Sequence, residues 1–565
     1  MYKKILLINL LMIAGQNIYA QCSENRINAE PIVGYVYLDT NKNLVKDDGE
    51  LGLQNISVSN GCSVVRTDQN GRYETTLAPF EILFISKPAD FSVPLDDYNV
   101  PQFYYRHYPD GSPTQITGTS IEWLWPVIEP TGPLPESLNF PLFDFEEANP
   151  KFTAHGFADT QAQSELDQDM LREDLINPLV GNPYSVQFGL TVGDVVFDKL
   201  DLYDRHKEMM GLMDIPQWYL PGNHDINFES PNASFANETY KMHFGPTYYS
   251  FDYGNVHFVA LNNVEYAGNG NQFNCEHLLY CRGIYRGYID PIQLQWLRND
   301  LSFVGKEKLI VIATHISLLT EADDGINEKI TGPNTENFSE LLEILEPFEN
   351  IYGLAGHDTS HSWKVEVNHE HGWTGNPWIA HTLAEVRGSG WLRGPQDLRE
   401  VRDAMMQDGN PNGFYILRFD DTKLIPEFIP FPFGPDGAKR MRISLEPNLN
   451  SPKLGSVNRG TIENPTKVVV NLFDGGIRDL VWISIDGSPK ELMTYKIRTD
   501  PFVESQYTKF VNTDDAFATP ALSSHIWEYR LPATLNSGLH SIVITSEDEF
   551  GQKQTEASTF EILEL

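Results

Sequence analysis

Trp218-Tyr219-Leu220-Pro221-Gly222-Asn223-His224-Asp225 is a short apolar run that breaks at Pro-Gly and then delivers three polar side chains in succession. It reads as a strand ending at a metal site. An asparagine carbonyl oxygen is a neutral hard ligand, an adjacent histidine can give up a proton, and an aspartate behind it can orient that imidazole. Gly, Asn and Asp also favour turns for local reasons, so the reading depends on finding further ligands. Four other apolar runs end in them: 152–158 leads to Asp159-Thr160-Gln161, 186–192 to Gly193-Asp194, 309–313 to His315 and 351–355 to Gly356-His357. In α/β folds ligands gather at the carboxyl ends of strands, so these runs imply one shared crevice. Helical patterns lie between them. Asp290-Pro291 opens one with a cap and a first-turn proline, and Leu294, Leu297 and Leu301 form its apolar face.

At 565 residues the chain is too long for a single core, and its composition is globular. Lys and Arg number 41 against 78 Asp and Glu, and the net charge of -37 repels nucleic-acid backbones and anionic membrane surfaces. No nucleic-acid partner is expected. An anionic substrate must be attracted locally, and bound divalent cations are the obvious means. Lys3 and Lys4, the apolar run 5–15 and Ala20 before Gln21 have the layout of a cleaved signal peptide over 1–20. The expectation is export to the periplasm or the extracellular space, with no membrane span. In an oxidising compartment the simplest pairing of the four cysteines is Cys22–Cys62 and Cys275–Cys281, one of three arrangements.

Residues 21–147 read as an N-terminal β-sandwich module. After the alternating stretch 34–38, the loop 39–50 places Asp39, Asn41, Asn43, Asp47 and Glu50 at positions 1, 3, 5, 9 and 12, which a calcium-binding EF-hand loop uses. Leu44 stands where that loop needs glycine, so the segment is either a structural calcium loop or a solvated acidic turn. It resembles the B-type repeats of bacterial surface adhesins and the transthyretin-like modules of exported enzymes. Residues 441–565 show short β-patterned runs at 468–473, 481–485 and 541–545 and read as a C-terminal β-sandwich in a supporting or recognition role.

Between them, residues 148–440 carry Asp159-x-Gln161, Gly193-Asp194, Gly222-Asn223-His224-Asp225, His315 and Gly356-His357 in the order of the calcineurin-like metallophosphoesterases. The whole chain resembles the exported bacterial subgroup that adds a β-rich module on each side of that domain. The resemblance implies a multidomain protein whose centre is an α/β sandwich of two mixed sheets flanked by helices. It also implies a first cation on Asp159 and Gln161, a bridging Asp194, and a second cation on Asn223, His315 and His357. Mixed O and N ligands accept Mn, Fe and Zn alike. In such a pair a bridging carboxylate holds two cations that lower the pKa of a shared water for in-line attack on phosphorus. His224 would stabilise charge or protonate the leaving oxygen, with Asp225 behind it.

One motif departs from the pattern. The resemblance calls for a second histidine at position 359, where this chain has Gly356-His357-Asp358-Thr359-Ser360-His361. Either His361 reaches in from a longer loop, or Thr359 or Asp358 substitutes, or the first cation binds weakly. Asp198 steadies the site or caps the next helix. Gly388-Ser389-Gly390-Trp391 resembles a loop that borders the cleft, with Trp391 either stacked on substrate or packed in the core. His155 and His206 read as structural, and Asn368-His369-Glu370-His371 as a connecting loop rather than a metal cluster. The expected function is hydrolysis of small phosphate esters, most simply monoesters. The alternatives are a phosphodiesterase on the same scaffold and a surface binding protein with weakened catalysis.

Overall fold

Two mixed sheets form the centre of the molecule, and their strands are apolar almost throughout because both faces of each are covered. The structure is a computed structural model describing residues 26–563 except 117, 146–148, 269–283, 321–331, 433–438, 447–455, 459 and 462–463. In the first sheet, Gln217–Leu220, Gly189–Val192, Lys151–Phe157, Gly413–Asp420 and Lys423–Pro430 lie side by side in that order. Its first three strands are parallel and the last two antiparallel. In the second sheet the order is Tyr249–Tyr253, Val256–Ala260, Leu309–Ala313, Asn350–Ala355, Trp378–Thr382 and Trp363–Val367, with a parallel middle and antiparallel edges.

The sheets meet face to face across aromatic side chains. Trp218 stacks on Phe251 with ring centroids 4.1 Å apart, and Phe188 lies 5.3 Å from Phe258. Helices cover the outer faces. Met170, Leu171 and Met210 pack on Phe157, Phe414 and Ile416 of the first sheet. The helix Pro291–Leu301 starts at Asp290, whose side chain accepts from Ile292 N, and buries Leu294, Leu297 and Leu301. All five runs that end in candidate ligands are therefore parallel strands whose carboxyl ends open on one side of the two sheets.

Ahead of this centre stand two four-stranded sheets. One has the order Arg72–Leu77, Glu30–Leu38, Phe140–Asp144, Phe91–Ser92; the other Val64–Arg66, Ser57–Ser59, Glu81–Ile85, Tyr104–His107. Their buried residues belong to the same apolar cluster as the central sheets. Phe103, for example, lies 5.2 Å from Trp218. Buried Lys87 donates to the carbonyls of Pro88 and Asp252 and sits 3.7 Å over the Tyr253 ring, and burial pushes its ammonium down to about 7. Cys62 is disulfide-bonded. Residues 1–20, Cys22, Cys275 and Cys281 lie outside the described residues.

Behind the centre, Met441–Glu446, Lys467–Leu472, Ser523–Arg530 and Thr494–Arg498 form one sheet. Ser456–Asn458, Lys553–Leu563, Gly538–Glu547, Leu480–Ile485 and Glu491–Leu492 form another. The two enclose a core of their own that includes Val468, Val470, Ile483, Trp527 and Ile544. This part reaches the centre through a small apolar cluster of Met405, Val503 and Phe517 and through polar contacts. Buried Asp474 meets Lys364, His381 and Tyr415, and buried His525 meets Asp408.

Candidate metal centre

Three of the five ligand-bearing strands break into left-handed backbone. Asp159 (φ 49°), Gln161 (φ 38°), Asp194 (φ 48°), Asp198 (φ 58°) and His357 (φ 75°) all occupy the left-handed region, which non-glycine residues populate only at a cost their surroundings must offset. Close approach explains two glycines. A Cβ on Gly222 would lie 2.1 Å from Asp194 Oδ1, and one on Gly356 would lie 2.2 Å from Asp159 Oδ2. Any side chain there would displace a carboxylate from the centre.

Asp194, His315 and His357 present ligand atoms that all lie within 4.8 Å of one another. His315 Nε2 is 3.3 Å from Asp194 Oδ1, 3.0 Å from Asn223 Oδ1 and 3.2 Å from His357 Nδ1. Its other nitrogen, Nδ1, stands 3.0 Å from the Val192 carbonyl, which fixes the ring and frees Nε2 for a ligand role. The structure thus brings Asp194, Asn223, His315 and His357 together. Asp159 joins them through the His357 backbone N–H, which donates to its Oδ2 at 2.9 Å, and Gln161 joins through its side-chain amide N–H, which donates to Asp194 Oδ2. Among the described residues Asp159 Oδ1 and Gln161 Oε1 are buried with no hydrogen-bond partner.

Such orphaned oxygens beside carboxylates, an amide oxygen and imidazoles are what cation coordination satisfies, and the residues present fit a dimetal centre. The electrostatics agree. Burial would raise Asp194, yet the imidazoles of His315 and His224 hold it well below the usual carboxylate range. Burial would lower His315, but the Asp194 charge lifts it to about 9. Burial and the nearby His315 push His357 down to about 4, so it is a neutral donor at pH 7. Asp159 moves the other way, raised chiefly by burial. These buried like and opposite charges are arranged for something positive to enter.

Several expected placements need correction. Asp225 does not stand behind His224. Its carboxylate accepts from the backbone N–H groups of Gly222 at 2.8 Å and Val195 at 3.1 Å and from the Tyr203 hydroxyl at 2.7 Å. It clamps the two ligand loops together from below. His224 instead pairs with Asp198, with Nδ1 2.6 Å from Oδ1, so Asp198 is a site residue and not the cap, a position Lys199 takes. The ring of His361 packs on Trp363 and its Nδ1 lies 3.5 Å from Asp358 Oδ2; like Asp159 and Glu385, it lies outside the tight Asp194–His315–His357 group. Trp391 is a core aromatic, 1 % exposed among Phe157, Val401 and Phe414, and it does not border the cleft. Asn368 caps a short turn over His369–His371. His155 and His206 are buried in the core.

The loop 39–50 closes on itself. Asp39 is buried and accepts from Leu44 N through Oδ2, while its Oδ1 has no partner among the described residues. Glu50 accepts from Thr40 N and Asp47 N, and the Asn41 and Asn43 amides both donate to Asp47 Oδ2. Leu44 adopts φ 63°, the left-handed conformation that glycine normally supplies at this position.

Other site residues carry no motif. Phe197 stacks on His224 with centroids 3.8 Å apart, and the Arg387 guanidinium lies 5.2 Å over the same Phe197 ring. Tyr285 meets His357 edge-on at 5.7 Å. Glu385, fully buried, comes within 3.7 Å of Arg387 Nε. The available signal was a glutamate and an arginine two apart inside the apolar run Leu383-Ala384-Glu385-Val386-Arg387.

Comparison with known proteins adds the following. A family described as the N terminal of calcineurin-like phosphoesterase matches residues 39–117, and one described as its C terminal matches 381–553. No curated protein matches the chain. Among solved structures, the purple acid phosphatase PPD1 from yellow lupin (Lupinus luteus) seeds is similar at 12 % identity and a TM-score of 0.36, covering 71 % of this chain and 67 % of its own.

Proposed function

The chain belongs to the calcineurin-like metallophosphoesterase superfamily, and on that premise we propose that it is an exported phosphomonoesterase. The observation that carries the monoester reading is the pair of basic side chains over one ring, His224 and Arg387 on Phe197. A terminal phosphate monoester bears more charge than a diester, and in a chain of net charge -37 these two groups are a local reserve for it. Asp159, Gln161, Asp194, Asn223, His315 and His357 would hold two divalent cations drawn from Mn, Fe and Zn. Bound there, the cations supply Lewis-acid charge and a water of lowered pKa. The protein's own part is positional. Asp198 holds His224 Nδ1, which leaves Nε2 to face the leaving oxygen, and the Asp194 charge favours the protonated imidazole that a general acid needs.

The test uses protein recovered outside the cytoplasm, with an N-terminus expected at Gln21. It should carry two cations per chain and hydrolyse p-nitrophenyl phosphate with a higher kcat/KM than bis-p-nitrophenyl phosphate. A preference for the diester would make it a phosphodiesterase. Fewer than one cation per chain and no turnover of either would make it a weakened binding protein.

The N- and C-terminal parts are read as β-sandwich modules, and the loop 39–50 as a structural calcium site. Asp39 Oδ1, buried and without a hydrogen-bond partner among the described residues, supports the latter. Millimolar calcium should then stabilise the wild type by about 1–3 kcal/mol in thermal melts, as expected for a ligand well above its dissociation constant. Asp39→Ala should abolish that increment. Equal calcium responses in both proteins would refute it.

A further inference from the structure

Glu385 is an anomalous ionisable group among the described residues. It is 0 % exposed, and both of its carboxylate oxygens lack a hydrogen-bond partner among the described residues. Its nearest cation, Arg387 Nε, is 3.7 Å from Oε2, too far for a hydrogen bond. A buried carboxylate left this way costs several kcal/mol unless something positive meets it.

Its backbone is fixed between the strand ends that bear Asp159 and His357. The strand Trp378–Thr382 pairs with Asn350–Ala355, and Leu383 N extends that pairing by donating to Ala355 O at 2.8 Å, one residue before Gly356-His357. The chain then crosses to the other sheet. Val386 N donates to Ala158 O at 2.8 Å and Arg387 N to Asp159 O at 3.3 Å. Ala384 N donates to the Tyr415 hydroxyl at 2.8 Å, and Glu385 O accepts from Gly388 N and Gly413 N. Residues 383–387 are thus a bridge, tied at every residue, between the strand end bearing His357 and the strand end bearing Asp159, with Glu385 at its midpoint.

Two facts on the ligand side match. Asp159 Oδ1 and Gln161 Oε1 are also buried without partners, and the first cation lacks the imidazole that position 359 would supply, since Thr359 stands there and His361 packs beside Asp358 and Trp363. We infer that Glu385 replaces that imidazole, so that Asp159, Gln161, Asp194 and Glu385 hold the first cation through oxygen. This rests on the dimetal reading above. An oxygen-rich first site beside an Asn/His second site would favour a harder cation, such as Mn²⁺, in the first position.

The test titrates the metal-stripped full-length protein with Mn²⁺ alone and counts bound metal by mass spectrometry and electron paramagnetic resonance. Wild type should bind two ions per chain. Glu385→Gln, which keeps shape and removes charge, should bind one tightly and weaken the other by at least about tenfold. His361→Ala should still bind two. Thermal melts without metal guard against misfolding: Glu385→Gln should keep a cooperative transition close to that of wild type and should gain less on adding Mn²⁺. If Glu385→Gln keeps two ions at wild-type affinity, or if His361→Ala loses one, the inference falls while the dimetal reading stands. If wild type itself binds none, both fall.

Discussion

Asp194→Asn is expected to lower kcat/KM on p-nitrophenyl phosphate by about 1,000- to 100,000-fold, the equivalent of about 4–7 kcal/mol of lost transition-state stabilisation. The expectation follows from where its oxygens point. Oδ1 accepts from His224 N at 2.8 Å and faces His315 Nε2 at 3.3 Å, and Oδ2 accepts from the Gln161 amide. Each of these three contacts is a donor or a cation. An asparagine can satisfy that environment with one oxygen only and must turn an NH₂ group towards another donor. It also removes the charge that lifts His315, which would then titrate lower. Metal content should fall from two ions per chain to one or none. A variant that kept both ions and a rate within tenfold of wild type would remove Asp194 from the centre of the mechanism.

The parts of this site legible in the sequence share a physical cause. A strand that must be apolar inside two sheets and polar at its end writes itself as a hydrophobic run followed by Asp, Asn or His, and five such runs lie in this chain. The alternation of these runs with capped helices such as Pro291–Leu301 likewise announces the α/β centre. What sequence could not show is how loops far apart approach each other. Asp225 looks like a partner for the adjacent His224, but the Gly193-Asp194 loop, some thirty residues upstream, brings Val195 N to its carboxylate first. Asp198 takes the place behind His224 because its left-handed backbone turns it back into the cleft. Trp391 follows glycines that suggest an exposed loop, yet its indole donates to buried Asp174, an acceptor 217 residues away. Glu385 sits in a run whose pattern says only core, and its meaning depends on the crossing of 383–387 between two sheets. Local pattern marks strand ends; it carries no record of which loop lies over them.

Asp474→Ala is expected to cost about 3–5 kcal/mol of unfolding free energy at pH 7, the usual effect of removing one member of a buried ion pair. Asp474 follows the C-terminal strand Lys467–Leu472, but all its charged contacts belong to the centre. Lys364 Nζ lies 3.0 Å from Oδ2, while His381 Nε2 at 3.0 Å and the Tyr415 hydroxyl at 2.9 Å meet Oδ1. Burial would raise its carboxyl, but Lys364 and His381 hold it well below the usual range. A depressed folded pKa contributes stability that is complete above the unfolded carboxylate value near 4 and fades as pH falls through the folded one. The gap between wild type and variant in urea melts should therefore be constant from pH 7 to pH 5 and narrow below pH 4. Truncating the aspartate alone strands a buried ammonium, whereas Lys364→Met with Asp474→Leu removes both charges, so the double variant should regain much of the loss. A single variant within about 1 kcal/mol of wild type, or a double no better than the single, would show that this contact does not bind the C-terminal sheets to the centre. The contact also matters for the site, because His381 lies in the strand Trp378–Thr382, which runs directly into the bridge carrying Glu385. Loosening the C-terminal part should be felt first at the cation that bridge supports.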